Sequence, residues 1–152
     1  MMIDKDSIWE HNYVLGFLFN KDLSQVALIR KTKPEWQKGQ LNGIGGKIEP
    51  GEDPLGAMIR EFREETNYDY VDFEQFGSLY SEERIFIVHL FVGRSSQLNL
   101  EPYIESPTDE KPVIMKLPLM SENYLNNTPG LVYMAWAKLS DPEMCMVDVS
   151  YD

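Results

Sequence analysis

Cysteine is nearly missing from this chain of 152 residues: Cys145 is the only one. No internal disulfide can form and no second thiol is available for a metal site, so a reducing compartment is the simplest setting. Cys145 itself is expected as a small buried apolar residue. Positive charge is also scarce, with 14 Lys and Arg against 25 Asp and Glu and a formal net charge of −11. That balance argues against duplex nucleic acid as a partner, because gripping a phosphate backbone takes clustered Lys and Arg. Long apolar runs are missing too, and none approaches the roughly 18 residues of a membrane span. The stretch from Met1 to Ser7 lacks the basic-then-apolar pattern of a secretory signal, so a cytoplasmic protein without a membrane partner is expected. Repeats, low-complexity tracts and Gly/Ser linkers are absent, which predicts a single domain over 1–152. What is present is enough for a core: 43% of the residues are hydrophobic and 12% aromatic.

Tyr13 to Phe19 and Gln25 to Arg30 are short β-prone runs separated by the turn residues Asn20 to Ser24, and they predict two joined strands. From Lys31 to Gly51 the chain carries five glycines, two prolines and four lysines (Lys31, Lys33, Lys38 and Lys47), which predicts a loop with one short extended piece at most. Asp53-Pro54 then reads as a helix start, an acidic N-cap followed by proline at the first helical position. The helix is predicted over Pro54 to Thr66, with Leu55, Met58, Ile59 and Phe62 forming its core-facing stripe and Asn67 ending it in a left-handed conformation. Val71 to Tyr80 and Ile85 to Val92 read as strands, the second apolar enough to be central. Gln97 to Glu110 reads as a polar loop and Val113 to Leu117 as a short strand. Thr128-Pro129 repeats the cap-plus-proline pattern ahead of a second helix, Leu131 to Leu139. Strands interleaved with two helices predict an α+β or mixed-sheet α/β fold.

The chemistry-bearing stretch is Glu61-Phe62-Arg63-Glu64-Glu65. On a helix, positions i, i+3 and i+4 share a face, so three carboxylates crowd together and repel by a few tenths of a kcal/mol per pair (roughly 0.2–0.5). Arg60 and Arg63 offer partial pairing, while a hard divalent cation would use all three oxygen donors. An isolated run of this kind is usually a solvated face. Here Gly45-Gly46, which permits close backbone approach, and a lysine-bearing loop come just before it. Phosphates held against metal ions are the natural use of that combination, since phosphoanhydride hydrolysis depends on positioning, charge neutralisation and activation of water.

The run from Gly46 through Glu52 to Arg60-Glu61-Phe62-Arg63-Glu64-Glu65-Thr66-Asn67-Tyr68 resembles the Nudix box, G-x5-E-x7-R-E-U-x-E-E-x-G-U with U an apolar or aromatic residue. Its spacing matches at every defining position over 23 residues except the last glycine, which is Asn67, the next best residue at positive φ. The resemblance implies the Nudix fold, a mixed β-sheet sandwiched between helices, and a pyrophosphohydrolase. It implies Mg²⁺ or Mn²⁺ held by Glu61, Glu64 and Glu65 with the Gly45 carbonyl, and a role for Glu61 in activating water. Glu52 and Arg60 would form a supporting ion pair, and a later loop would add a further acid, for which Glu110 is the choice over Glu101 and Glu105. A homodimer is an expectation at the level of the family.

Asn42 resembles the purine-reading amide of the MutT-like, nucleoside-triphosphate-cleaning branch, which includes 8-oxo-dGTP diphosphatases, and an amide can both donate to and accept from a base edge. Lys47 and Arg30 are the further substrate-binding residues expected, and the lysines of the loop, Lys31, Lys33, Lys38 and Lys47, are placed to hold phosphates. The expected substrate is a purine dNTP or oxidised dNTP; the alternatives are ADP-ribose, a dinucleotide polyphosphate or a similar conjugate, and a non-catalytic nucleotide sensor. Glu83-Arg84-Ile85 occupies the zone where the ADP-ribose and dinucleotide branches carry proline or tyrosine. Trp36 and Trp136 are candidates for base stacking or for buried packing, and His11 and His89 have no paired ligand at metal spacing.

Overall fold

In the computed structural model, which describes residues 9–151, the chain runs β1 (His11–Phe19), β2 (Gln25–Arg30), β3 (Leu41–Asn42), β4 (Ile44–Lys47), α1 (Pro54–Thr66), β5 (Glu74–Ser81), β6 (Phe86–Arg94), β7 (Lys111–Lys116), α2 (Thr128–Ser140) and β8 (Val147–Ser150). The strands form one mixed sheet with a main path β3-β2-β1-β6-β5-β8, in which β4 pairs with β1 and β7 with β2. The parallel pairing of β1 with β6 runs from His11↔Phe86 to Phe19↔Arg94 and places the apolar β6 centrally, as predicted. Alternation along these strands sends side chains to both faces, and both are covered. On one face Ala57, Met58 and Phe62 of α1 pack with Val14, Leu18, Ala27 and Ile29. On the other, Leu131, Val132 and Ala135 of α2 pack with Phe17, Phe19, Val26 and Leu28. The predicted α/β class and sandwiched sheet are what the structure has.

Helix α1 has its predicted limits. Asp53 Oδ1 accepts from the Gly56 N–H at 2.9 Å, and Asn67 at φ 61° closes the helix with its N–H donating to the Arg63 carbonyl. The predicted stripe is corrected: Leu55 is exposed, and Ala57 and Thr66 join Met58 and Phe62 in the buried set. The segment Lys31–Gly51 holds two strands, β3 and β4, with a short 3₁₀ turn at Glu35–Gln37, so the expectation of one extended piece at most is also corrected. Glycine usually weakens a strand, but at Gly45 a Cβ would sit 1.9 Å from the Val14 carbonyl oxygen. Only glycine allows β4 to come this close to β1. At the second helix, Asn127 at φ 73° is the N-cap without a side-chain bond, and Thr128 is the first helical residue, fully buried. β8 was not predicted, and Cys145, expected as buried, is exposed. Among the described residues no helix is long and apolar enough to cross a membrane.

Candidate active site

Arg60 organises the acidic helix. Its Nε and Nη2 donate to both oxygens of Glu52 at 2.7 and 2.9 Å, its Nη1 reaches Glu61 at 3.0 Å and Glu64 at 3.3 Å, and Nη2 also donates to the Lys47 carbonyl at 3.1 Å. The bidentate grip and the Glu49 N–H that Glu52 accepts hold the Glu52 carboxyl down at about 2. The same bonds raise the Arg60 pKa further above its ordinary range. Because one cation is shared among four carboxylates, Glu49 at 4.0 Å being the fourth, the helix and the loop ahead of it are tied together while negative charge is left over.

That surplus lies on Glu61 and Glu65. Burial pushes the Glu61 carboxyl up, against the opposing pull of Arg60, and the charges of Glu64 and Glu65 push the same way. Burial also raises Glu65, and the nearby Glu110 adds to it, while a hydrogen bond from the Thr108 hydroxyl at 3.0 Å opposes. Glu64 remains more than half exposed. Gly46 lies against Glu61 so closely that a Cβ would meet the carboxylate at 2.6 Å. Glu110 is buried, with Lys31 Nζ at 3.0 Å on one oxygen and the Thr32 N–H at 2.8 Å on the other. The two rival acids lie elsewhere: Glu105 bonds the Asn67 amide, and Glu101 is exposed in a short 3₁₀ turn.

A cleft of about 670 Å³ opens over the α2 face of the sheet and reaches Gly45-Gly46, the edge that Glu61 of α1 approaches from the other face. Its lining includes Gly45, Gly46, Lys47, Lys31, Trp36 and Asn42. Arg84 lines it too, so that in a chain of net charge −11 the described lining residues supply three cations and no carboxylate. The structure does not bring Arg30 here: its guanidinium donates to the Gly39 carbonyl at 2.9 Å and lies 3.7 Å from Glu122. Asn42 lines the cleft with half of its amide spent. Its Oδ1 accepts from the Gly43 N–H at 2.8 Å and the Thr128 hydroxyl at 3.2 Å, while its NH₂ has no partner among the described residues. Trp36 is 70% exposed at the cleft, and Trp136 is also exposed, so neither is a core residue. His89 is buried beside Gln75, with Nδ1 3.1 Å from the amide nitrogen, in a structural place.

Sequence reasoning missed Thr108, Thr128, Arg84 and Tyr151. The first two are single hydroxyls whose partners are 43 and 86 residues away, and no local pattern marks such pairs.

The donor set suits a hard cation. All candidate groups are oxygens, two carboxylates carry charge that burial and neighbours disfavour, and Gly46, having no side chain, makes room for the Glu61 carboxylate against β4. Among the described residues, no three acidic side chains already converge into a cage.

Comparison with known proteins agrees with the motif. A curated relative, the m7GpppN-mRNA hydrolase of Saccharomyces cerevisiae, is 28% identical over 97 residues, covering 61% of this chain. The chain spans only 10% of that protein's length. A structure of MutT from Aliivibrio salmonicida and Vibrio cholerae superposes with a TM-score of 0.65 at 19% identity, covering 84% of this chain and 97% of that one. A NUDIX hydrolase of Nitrosomonas europaea gives a TM-score of 0.69 at 15% identity, covering 95% and 80%. These likenesses establish the fold. The NUDIX domain profile matches residues 9–119, and with the box on α1 this places the chain in the Nudix family.

Proposed function

We propose that this protein is a divalent-metal-dependent pyrophosphohydrolase that cleaves the phosphoanhydride of a nucleoside diphosphate linked to a further group, X. The observation that carries this reading is the meeting, at Gly45-Gly46, of a carboxylate-rich helix and a cleft whose charged side chains are all cationic. Glu61, Glu64 and Glu65, with the Gly45 carbonyl, would hold Mg²⁺ or Mn²⁺. Glu110 would add an oxygen, since each of its oxygens keeps a lone pair beyond its present bond. The metal would supply charge neutralisation at the anhydride.

The protein groups have separate tasks. Lys47 and Lys31 would hold phosphate oxygens at the Gly45-Gly46 edge. The Glu61 carboxylate would accept a proton from the attacking water. Water oxygen bonds to one phosphorus as the bridging P–O bond breaks, giving a nucleoside monophosphate and the phosphorylated X. The Asn42 NH₂ would donate to a purine acceptor such as O6 or N7, which makes a purine dNTP or oxidised dNTP the first substrate class to test. The second class is nucleotide conjugates, favoured by the extent of the cleft beyond Lys47 to Arg84.

A panel of dNTPs, 8-oxo-dGTP, ADP-ribose, dinucleoside polyphosphates and a cap dinucleotide, assayed with Mg²⁺, Mn²⁺ or EDTA, tests the reading. EDTA-sensitive release of a monophosphate is expected. Glu64→Gln and Glu65→Gln are expected to lower turnover by roughly 100-fold or more. Full turnover in both variants at matched magnesium would overturn it.

A further inference from the structure

Arg84 stands apart from the other cations of the cleft. Its guanidinium carbon lies 5.8 Å from the ring centre of Phe86 and 5.6 Å from that of Tyr151, and the two rings meet edge to face at 5.9 Å. A cation held against ring faces keeps the donors at its edge for another partner. Among the described residues no carboxylate forms an ion pair with it, although the chain has an excess of acids; Lys31, by contrast, has Glu110 as a partner at 3.0 Å on one of its donors. Arg84 is also held by its backbone. Its N–H donates to Ser81 Oγ at 3.1 Å, and Ile85 follows at φ 53°, a conformation that a β-branched residue adopts only when its surroundings impose it.

The C-terminal strand builds this place. β8 pairs in parallel with β5 from Gly77↔Val147 to Tyr80↔Ser150, and the Tyr151 N–H donates to the Tyr80 carbonyl at 2.8 Å. Gly77 permits the approach, since a Cβ there would sit 1.9 Å from the Val147 carbonyl oxygen. Lys138 holds the loop ahead of β8 through the carbonyls of Pro142 and Met144 at 3.1 and 2.9 Å.

Position in the sheet gives the separation. Lys47 pairs with Tyr13 and Tyr13 with Val88, which is two strand spacings, and Phe86 lies two residues further along β6. At about 4.8 Å per strand and 3.3 Å per residue the backbones of Lys47 and Phe86 are ~12 Å apart. Asn42 lines the cleft on the other side of β1, where β3 pairs with β2. The glycine edge is thus flanked by an amide end and a guanidinium end.

We infer that Arg84, held by Phe86 and Tyr151, is a second anion site that takes a phosphate of X remote from the cleaved anhydride, and so gives the second substrate class named above, nucleotide conjugates, a dedicated contact. This rests on the reading above for the cleavage itself. A terminal phosphate of a long chain and a phosphate joined to a second nucleoside offer the same oxyanion.

The test is titration calorimetry in EDTA, where turnover is off, with diadenosine tri-, tetra- and pentaphosphate and with adenosine tetraphosphate. Wild-type affinity is expected to rise at least tenfold from the tri- to the pentaphosphate. Arg84→Gln is expected to flatten that rise and leave the triphosphate unchanged, Tyr151→Ala to weaken it partly and Arg84→Lys to keep part of it. Tight adenosine tetraphosphate binding identifies a terminal phosphate as the group held; preference for the dinucleotide identifies an internal one. Equal affinity along the wild-type series, or an unchanged rise in Arg84→Gln with its thermal midpoint intact, overturns the inference. Loss of metal-dependent turnover with the affinity series intact would refute the hydrolase reading alone.

Discussion

Glu61 and Glu65 are one turn apart on the same face of α1, and both carboxyls are raised by burial, yet they are held by different parts of the chain. Glu61 is bound by its neighbour Arg60, which also grips Glu52 eight residues earlier. Glu65 is bound by Thr108, beyond two further strands. The first arrangement lies wholly within one motif and needs only the helix and the loop before it. The second exists only once β7 is paired with β2 and the loop ahead of it has been drawn against the helix. A site of this kind therefore has a half that is preset by local chain and a half that depends on the completed sheet.

The comparison is broken most severely at Gly46. Gly46→Ala would put a Cβ 2.6 Å from the Glu61 carboxylate and push that side chain aside while leaving Glu65 alone. A loss of turnover of roughly 100-fold is expected. Because the atom displaced is the end of a flexible side chain, the thermal midpoint should change little, and a large drop would show that Gly46 matters for folding instead. Arg60→Met comes next. It leaves the charges of Glu52 and Glu61, which are 19% and 13% exposed, without their cation. Chemical denaturation should show a loss of about 2 kcal/mol. Loss of less than half of that would mean that the web is mainly a surface feature.

Glu52→Gln sharpens the local half through pH. Arg60 and the Glu49 N–H lower the Glu52 carboxyl from its ordinary 4.5 to about 2. A carboxyl depressed in the folded state contributes stability that is complete above 4.5 and is lost as pH falls toward about 2. The gap in thermal midpoint between wild type and Glu52→Gln should be constant near neutral pH and narrow across that acid window. A gap that is the same in acid would assign it to packing instead.

The preset half is also the part that could be read in the sequence. Asp53, Pro54 and Asn67 mark the ends of α1 because caps and positive-φ residues act over a single turn, and the spacing of Glu52, Arg60 and Glu61 contains their contact. Lys31 to Gly51 reads in the sequence as a loop with one short extended piece at most because glycines lower strand propensity, whereas Gly45 serves close pairing that depends on the position of β1. β8 was missed for the same reason: Val147–Ser150 is too short to stand out, and its partner β5 lies about 70 residues earlier, where Ser78 bonds Asp148. The stripe on α1 was misplaced because periodicity gives an apolar arc but not its rotation. Glu61 and Glu65 rest close to the core, and Leu55 at the first turn faces solvent. Asn42 was legible as a polar residue before the glycines, but not the fact that Thr128 occupies its carbonyl.

The smallest effect is expected at Thr108, and it decides whether the remote half of the site matters separately. Thr108→Val keeps the shape and removes the hydroxyl that donates to Glu65. The bond is exposed, so the loss of stability should be under about 1 kcal/mol. The hydroxyl lowers the Glu65 carboxyl against burial and Glu110, so without it that carboxyl titrates higher still. The acid limb of the rate profile should then move to higher pH, with the alkaline limb unchanged. Thr108→Ser, which retains the donor, should restore the wild-type profile. If the limb stays in place in Thr108→Val, then Glu65 is set by α1 alone, and the two glutamates do not differ in the way their contacts suggest.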